Sequence, residues 1–258
     1  MGSMGTGVRS TLTSLSVLPP TNGDGACEGA RPVSTSGVGH GRGAGALKYV
    51  CSMRLFVLFA LLPVLCFAKP LDGVPEKGAT AAAFAPKGWV VESSLEGELN
   101  GDGVNDLVVV LLQSDTTTDR NRALLWLHGV ASGGYVSVAS NVGLLACLSC
   151  LGMKGGDGAP ELEISDKRVL SVSQWGGSRE SYGTTHKFRL EKSGVLLIGL
   201  DSGDNDSLTG AGNSISTNYL TGAQVAETTD EKGATKKVSK KLKLAPLPFA
   251  DVKGYGAR

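Results

Sequence analysis

The chain carries almost no net charge, with 25 Lys and Arg against 24 Asp and Glu over 258 residues. Nucleic acids and anionic membranes select basic surfaces, so neither is expected as a main partner. Several signals are missing as well. No stretch keeps a 3.6-residue apolar period for three turns, which excludes a helical domain. No apolar run reaches the roughly 20 residues that a spanning helix needs. Gly-x-Ser-x-Gly, His-Glu-x-x-His and P-loop patterns are all absent, so no standard hydrolase or phosphate-cradle signature marks an activity.

The neutral average hides two unlike parts. Residues 1–68 hold five basic groups against two acidic, leaving 20 against 22 for the other 190 residues. Within the first part, Met53-Arg54 opens the apolar run Leu55 to Leu65, followed by Cys66-Phe67-Ala68 and the polar Lys69-Pro70. A basic start, a short apolar stretch interrupted by Pro63 and small residues before Ala68 predict a secretory signal peptide over 53–68. An acylated Cys66 is the weaker reading, because Leu65 is bulky where lipoprotein processing wants a small residue. Residues 1–52 then read as a non-native or disordered leader, and the mature chain is expected in the periplasm or outside the cell.

Residues 69–88 are rich in Gly, Ala and Pro and are expected to be a linker. From Trp89 onward, runs of Val, Leu, Ile, Thr and Tyr alternate with Gly, Asn, Asp and Ser clusters, which predicts successive strands and turns. The connections are too short for helical crossovers, so the expected fold is all-β: one antiparallel domain of about ten short strands over 89–251, with a tail at 252–258. Gly133-Gly134, Lys192-Ser193-Gly194 and Asp230 to Gly233 are hairpin turns by composition. Leu107 to Leu112 and Val195 to Leu200 are apolar on both faces and are expected to be central. Lys236 to Lys243 reads as an edge strand protected by lysine.

Glu98-Leu99-Asn100-Gly101-Asp102-Gly103-Val104-Asn105-Asp106 is the segment with chemistry. Side-chain oxygens at relative positions 1, 3, 5 and 9, a Gly at position 6 and the Val104 carbonyl form an alternating set that wraps a hard cation, and Ca²⁺ is the expected ion. Position 12, where an EF-hand needs Glu, is Val109 inside an evident strand, so the loop belongs between strands. With Phe84 to Trp89, the strand after Asp106, and the later Tyr182 to Leu190 and Gly199-Leu200, the chain resembles a group of secreted bacterial proteins related to FG-GAP and VCBS-type calcium-loop repeats. That resemblance places metal ligands on Glu98, Asn100, Asp102 and Asp106. Glu98 stands where those loops have Asp, and its longer side chain leaves monodentate binding possible. Only one such loop occurs, so a propeller is not implied.

Cys147 and Cys150 are the only cysteines left after cleavage at Ala68. A zinc site would need a second ligand pair, and a redox pair would prefer a thioredoxin-like setting; in an oxidising compartment a local disulfide is expected. The cluster Asp201, Asp204, Asn205, Asp206 reads as a solvated turn. His186 alternates with Phe188 and Leu190, as a core or boundary histidine would. Glu161 and Glu163 share a strand face, and Trp175-Gly176-Gly177-Ser178-Arg179 combines an aromatic and a cation with flexible Gly, as a ligand loop or a plain turn. These readings favour an exported, calcium-stabilised module that binds a protein or glycan at the cell envelope, with no catalytic residue marked. The alternatives are an envelope hydrolase or carbohydrate-active enzyme whose carboxylates are unmarked, and, more weakly, a periplasmic thiol-redox protein.

Overall fold

In the computed structural model, residues 71–156 and 158–254 are described. The leader at 1–52, the signal peptide at 53–68 and the last residues of the tail, 255–258, lie outside them. Thirteen strands are present among the described residues, against the ten expected, and two are long: β8 (Glu180–Glu191) and β9 (Gly194–Asp206). Every pairing is antiparallel.

Two sheets form. The first runs β1 (Lys77–Gly78), β5 (Tyr135–Asn141), β4 (Arg122–Gly129), β3 (Asp106–Gln113), β2 (Trp89–Gly97) in spatial order. The second runs β12 (Thr235–Lys241), β11 (Ala223–Thr229), β10 (Gly212–Asn218), β9, β8, β7 (Leu170–Gly177), β6 (Glu161–Ile164). The short β13 (Leu247–Pro248) joins the second sheet by pairing with the start of β9, where β10 does not reach.

The DLVVVLLQ sequence of β3 explains why it lies inside. Side chains alternate across a strand, and here both faces are apolar. Val108 and Val110 join Leu124 and Trp126 of β4, Leu170 and Val172 of β7, Phe188 of β8 and Val195 and Leu197 of β9 in one core between the sheets. The opposite faces, Leu107, Val109 and Leu111 with Ala123, Leu125 and Leu127, are buried against Phe84. Each such fully buried side chain contributes roughly 1.5–3 kcal/mol of transfer free energy.

That second core corrects the linker expectation. Residues 71–88 cover the outer face of the first sheet, with Leu71, Val74, Ala81 and Ala85 packed around it and β1 pairing β5. Their apolar groups are too irregularly spaced to show a period, but together they close a surface that β3 and β4 could not leave exposed. The end of the domain and the first residue of the expected tail, Val252, are packed in the same way. Phe249 and Val252 are buried between the sheets, the Phe249 ring meets those of Trp126 and Phe188, and the Asn141 amide donates to the Phe249 and Val252 carbonyls. The acidic cluster Asp201 to Asp206 is not a turn either. It continues β9, paired to β8 and β10, because its side chains are engaged on both sides: Asp201 by Lys187 and Ser216, Asp204 by Asn213, and Asp206 by Arg179.

The expected hairpins at Gly133-Gly134, Lys192-Ser193 and Asp230 to Gly233 connect consecutive strands, and β12 is an edge strand exposed along its whole length. Cys147 and Cys150 are bonded.

His186 is only 2% exposed and its Nδ1 has no partner. Burial holds its pKa down to about 4. The unfolded chain takes up a proton near the ordinary value of 6.5 that the folded protein refuses until about pH 4. Stability is therefore complete above pH 6.5 and declines as pH falls through that window, by roughly 3 kcal/mol in all. Urea unfolding at about pH 7 and about pH 4.5 should show this loss, and a His186→Phe variant should lose less between the same two conditions. Equal losses in the two proteins would assign the acid limb to other groups.

Candidate functional site

The loop from Glu98 to Asp106 joins β2 to β3 and is held by its own side chains. Glu98 accepts backbone N–H bonds from Asn100 at 2.9 Å, Gly101 at 2.5 Å and Gly103 at 2.6 Å. Asn100 Oδ1 accepts from the Asp102 N–H, and Asp102 Oδ1 from the Val104 N–H, both at 2.8 Å. The Asn100 amide nitrogen donates to Asp102 and to Asp106. Gly101 and Gly103 take φ of 89° and 83°, a region that costs other residues strain. The Arg168 guanidinium from the β6–β7 turn lies against Gly101 and would have to move aside for a side chain there.

These bonds set the electrostatics. Hydrogen bonds from Gly101, then Gly103 and Asn100, hold the Glu98 carboxyl below its ordinary value against desolvation. Asp102 is lowered by the Val104 N–H and the Asn100 amide. Asp106 goes the other way. It is fully buried at the start of β3, and desolvation raises it in spite of N–H bonds from Leu99 and from Gly129 of β4, each at 2.9 Å. Asp106 therefore ties the loop to the neighbouring strand, while Glu98, Asn100 and Asp102 stay nearer the surface. Among the described residues no three His, Cys, Asp or Glu side chains are gathered into a metal-holding group. The donor set is all oxygen, with Asn100 and the Val104 carbonyl completing it, which is the chemistry a hard cation takes.

A second place emerges only from strand register. Trp175 of β7 lies opposite Gly183 of β8, which faces Gly203 of β9, then Ser214 of β10, Glu227 of β11 and Lys237 of β12. Directly paired residues share a face, so these six make one row across the second sheet. The two glycines form the floor of an open groove of about 570 Å³, bordered by Trp175, Thr185, Asp201, Ser216 and Glu227. The Trp175 ring occupies the space where a Gly183 side chain would stand, so a Cβ there would displace it, yet it remains 61% exposed. Lys187 Nζ and Ser216 Oγ both reach Asp201 at 2.6 Å, and Lys237 Nζ reaches Glu227 at 2.5 Å. Burial pushes the Asp201 carboxyl up, but the bonds from Lys187 and Ser216 outweigh it and leave the group below its ordinary value.

The sequence singled out Trp175 with residues 176–179 as one loop. The structure keeps Trp175 to Gly177 in β7 and turns Arg179 away to a forked pair with Asp206. Glu161 and Glu163 do share a face of β6, exposed to solvent. Neither borders the groove. A pattern search along the chain could not find the groove, since Trp175, Gly203 and Glu227 meet only through pairing. Among the described residues no helix is long and apolar enough to cross a membrane. Comparison with protein families, with curated proteins and with solved structures finds no match to this chain.

Proposed function

We propose that the protein is an exported binding module of the cell envelope or extracellular space, in which the Glu98–Asp106 loop takes one structural Ca²⁺ and the groove beside Trp175 is the binding face. The observation that carries the calcium reading is the oxygen array of Glu98, Asn100, Asp102, Val104 and Asp106, in which bonds within the loop orient Glu98, Asn100 and Asp102 and bonds from Leu99 and Gly129 orient Asp106. Glu98 Oε2, Asn100 Oδ1, Asp102 Oδ1 and Asp106 Oδ2 each accept one N–H and keep a second lone pair for a cation. The Asn100 amide nitrogen donates to both Asp102 and Asp106, and Ca²⁺ takes the place of this neutral donor between the two carboxylates. The export reading rests on residues 53–68, and the Ca²⁺ affinity is expected at about 10⁻⁴ to 10⁻³ M, suited to external calcium.

Arg168 supplies the test. Its guanidinium beside Gly101 repels an arriving cation, so Arg168→Ala should tighten Ca²⁺ binding by a few-fold, roughly 0.5–1 kcal/mol for one partly screened charge. In thermal unfolding, Ca²⁺ at about ten times its Kd should add about 1.4 kcal/mol to the wild type. The midpoint of the Ca²⁺ response should fall at lower concentration for Arg168→Ala. No thermal response to Ca²⁺ in either protein contradicts the calcium reading.

A further inference from the structure

We propose that the groove on the second sheet binds a neutral oligosaccharide, laid across the strands with one sugar ring stacked on Trp175, an inference that rests on reading this face as the binding surface. Three features identify the occupant. The first is the platform. Trp175 lies in the space that the absent Gly183 side chain leaves open, and its ring is largely exposed to the groove and solvent. A flat, apolar π-face accepts the C–H face of a pyranose, while the sugar hydroxyls need hydrogen-bonding side chains around it. Asp201, Ser216, Ser214, Asn205 and Glu227 border the same groove and supply them.

The second feature is charge. Asp201 is matched by Lys187 and Glu227 by Lys237, so two of the groove's carboxylates are balanced by ammonium groups, while Asp204 on its border takes a bond from the neutral Asn213 amide. An anionic ligand would find no excess of opposite sign, whereas a hydroxylated neutral one can both donate to the carboxylates and accept from the lysines.

The third is the backbone. A peptide that adds to a sheet needs a free edge with unpaired N–H and C=O groups. The groove floor is made of β8, β9 and β10, each paired on both sides, so their main chains have no ladder bonds left to give. From Trp175 on β7 to Glu227 on β11 there are four strand steps, or about 19 Å at about 4.8 Å each. That span exceeds one sugar ring, which points to an oligosaccharide.

The experiment uses cellohexaose, maltohexaose, xylohexaose and the hexamer of N-acetylglucosamine as probes, with tryptophan emission and calorimetry as readouts. A threonine-rich, strand-forming decapeptide is included as a control probe. At least one hexasaccharide should shift the wild-type emission, with its monosaccharide binding far more weakly. Trp175→Ala should weaken binding by roughly tenfold or more and Trp175→Phe by less, as expected for an aromatic anchor. Because the ring is mostly exposed, the circular dichroism of Trp175→Ala should match the wild type, separating loss of the platform from loss of fold. Binding of the decapeptide in the groove with no response to any hexasaccharide overturns the saccharide inference and leaves the groove reading standing. No response to any probe, or equal hexasaccharide affinity in Trp175→Ala, overturns both.

Discussion

Glu92→Ala should lower the unfolding free energy by about 3–5 kcal/mol, because it removes the carboxylate that accepts two charge-assisted hydrogen bonds from a buried guanidinium. Arg122 is 0% exposed on β4, and its Nε and Nη2 reach the two Glu92 oxygens of β2 at 2.6 Å each. Its Nη1 also donates to the Ala146 carbonyl, at the start of the disulfide loop. One guanidinium thus holds β2, β4 and the segment leading to Cys147 together. In a domain of this size such a loss lowers the thermal midpoint by roughly 10 °C. Arg122→Ala should cost less, since Glu92 is partly exposed and regains water. A Glu92→Leu, Arg122→Met double variant should recover much of the loss, because an apolar pair of similar volume avoids the desolvation penalty. Denaturant unfolding of the three proteins checks the ranking, and a double variant no better than Glu92→Ala would contradict it.

Asp106→Ala is the second large effect. Two N–H groups, of Leu99 and Gly129, donate to this one buried carboxylate. Hydrogen bonds to a charged partner contribute about 1.5–3 kcal/mol each, and a buried donor left without a partner adds its desolvation cost, so a loss of about 3–5 kcal/mol is expected. Asp106→Asn should lose about half of that, since one carbonyl oxygen remains and the new NH₂ faces a donor. The variants also separate two roles. If Asp106 ties the loop to β4 as well as facing the ion, Asp106→Ala weakens the fold even in chelator, whereas Asp102→Ala, at an exposed position, leaves chelator stability nearly unchanged.

Legibility followed the range of the interaction. The short apolar runs that make β3 and β9 strands, the glycine turns and the nine-residue oxygen pattern are all local, and each was readable along the chain. Local bonds also keep the Glu98–Asp106 loop in shape, with Asx-type contacts two or three residues apart. What was not readable depends on pairing. Arg122 and Glu92 are thirty residues apart and look like ordinary surface charges until β2 and β4 are placed on either side of β3. Residues 71–88 have a linker's composition, yet Leu71, Val74 and Phe84 cover a face that β3 and β4 cannot expose. The Asp201 to Asp206 run has a turn's composition, yet partners on β8 and β10 draw it into β9. The groove likewise needs three glycine, aromatic and acidic positions brought into register from separate hairpins.

Calcium binding at the loop is tested most directly by calorimetric titration of Ca²⁺ into the wild-type protein and into Asp102→Ala, both first stripped with chelator. The account predicts one site per wild-type chain, with Kd of about 10⁻⁴ to 10⁻³ M, and no measurable heat in an equally folded Asp102→Ala. Identical heats in the two proteins, or none in the wild type, would contradict it.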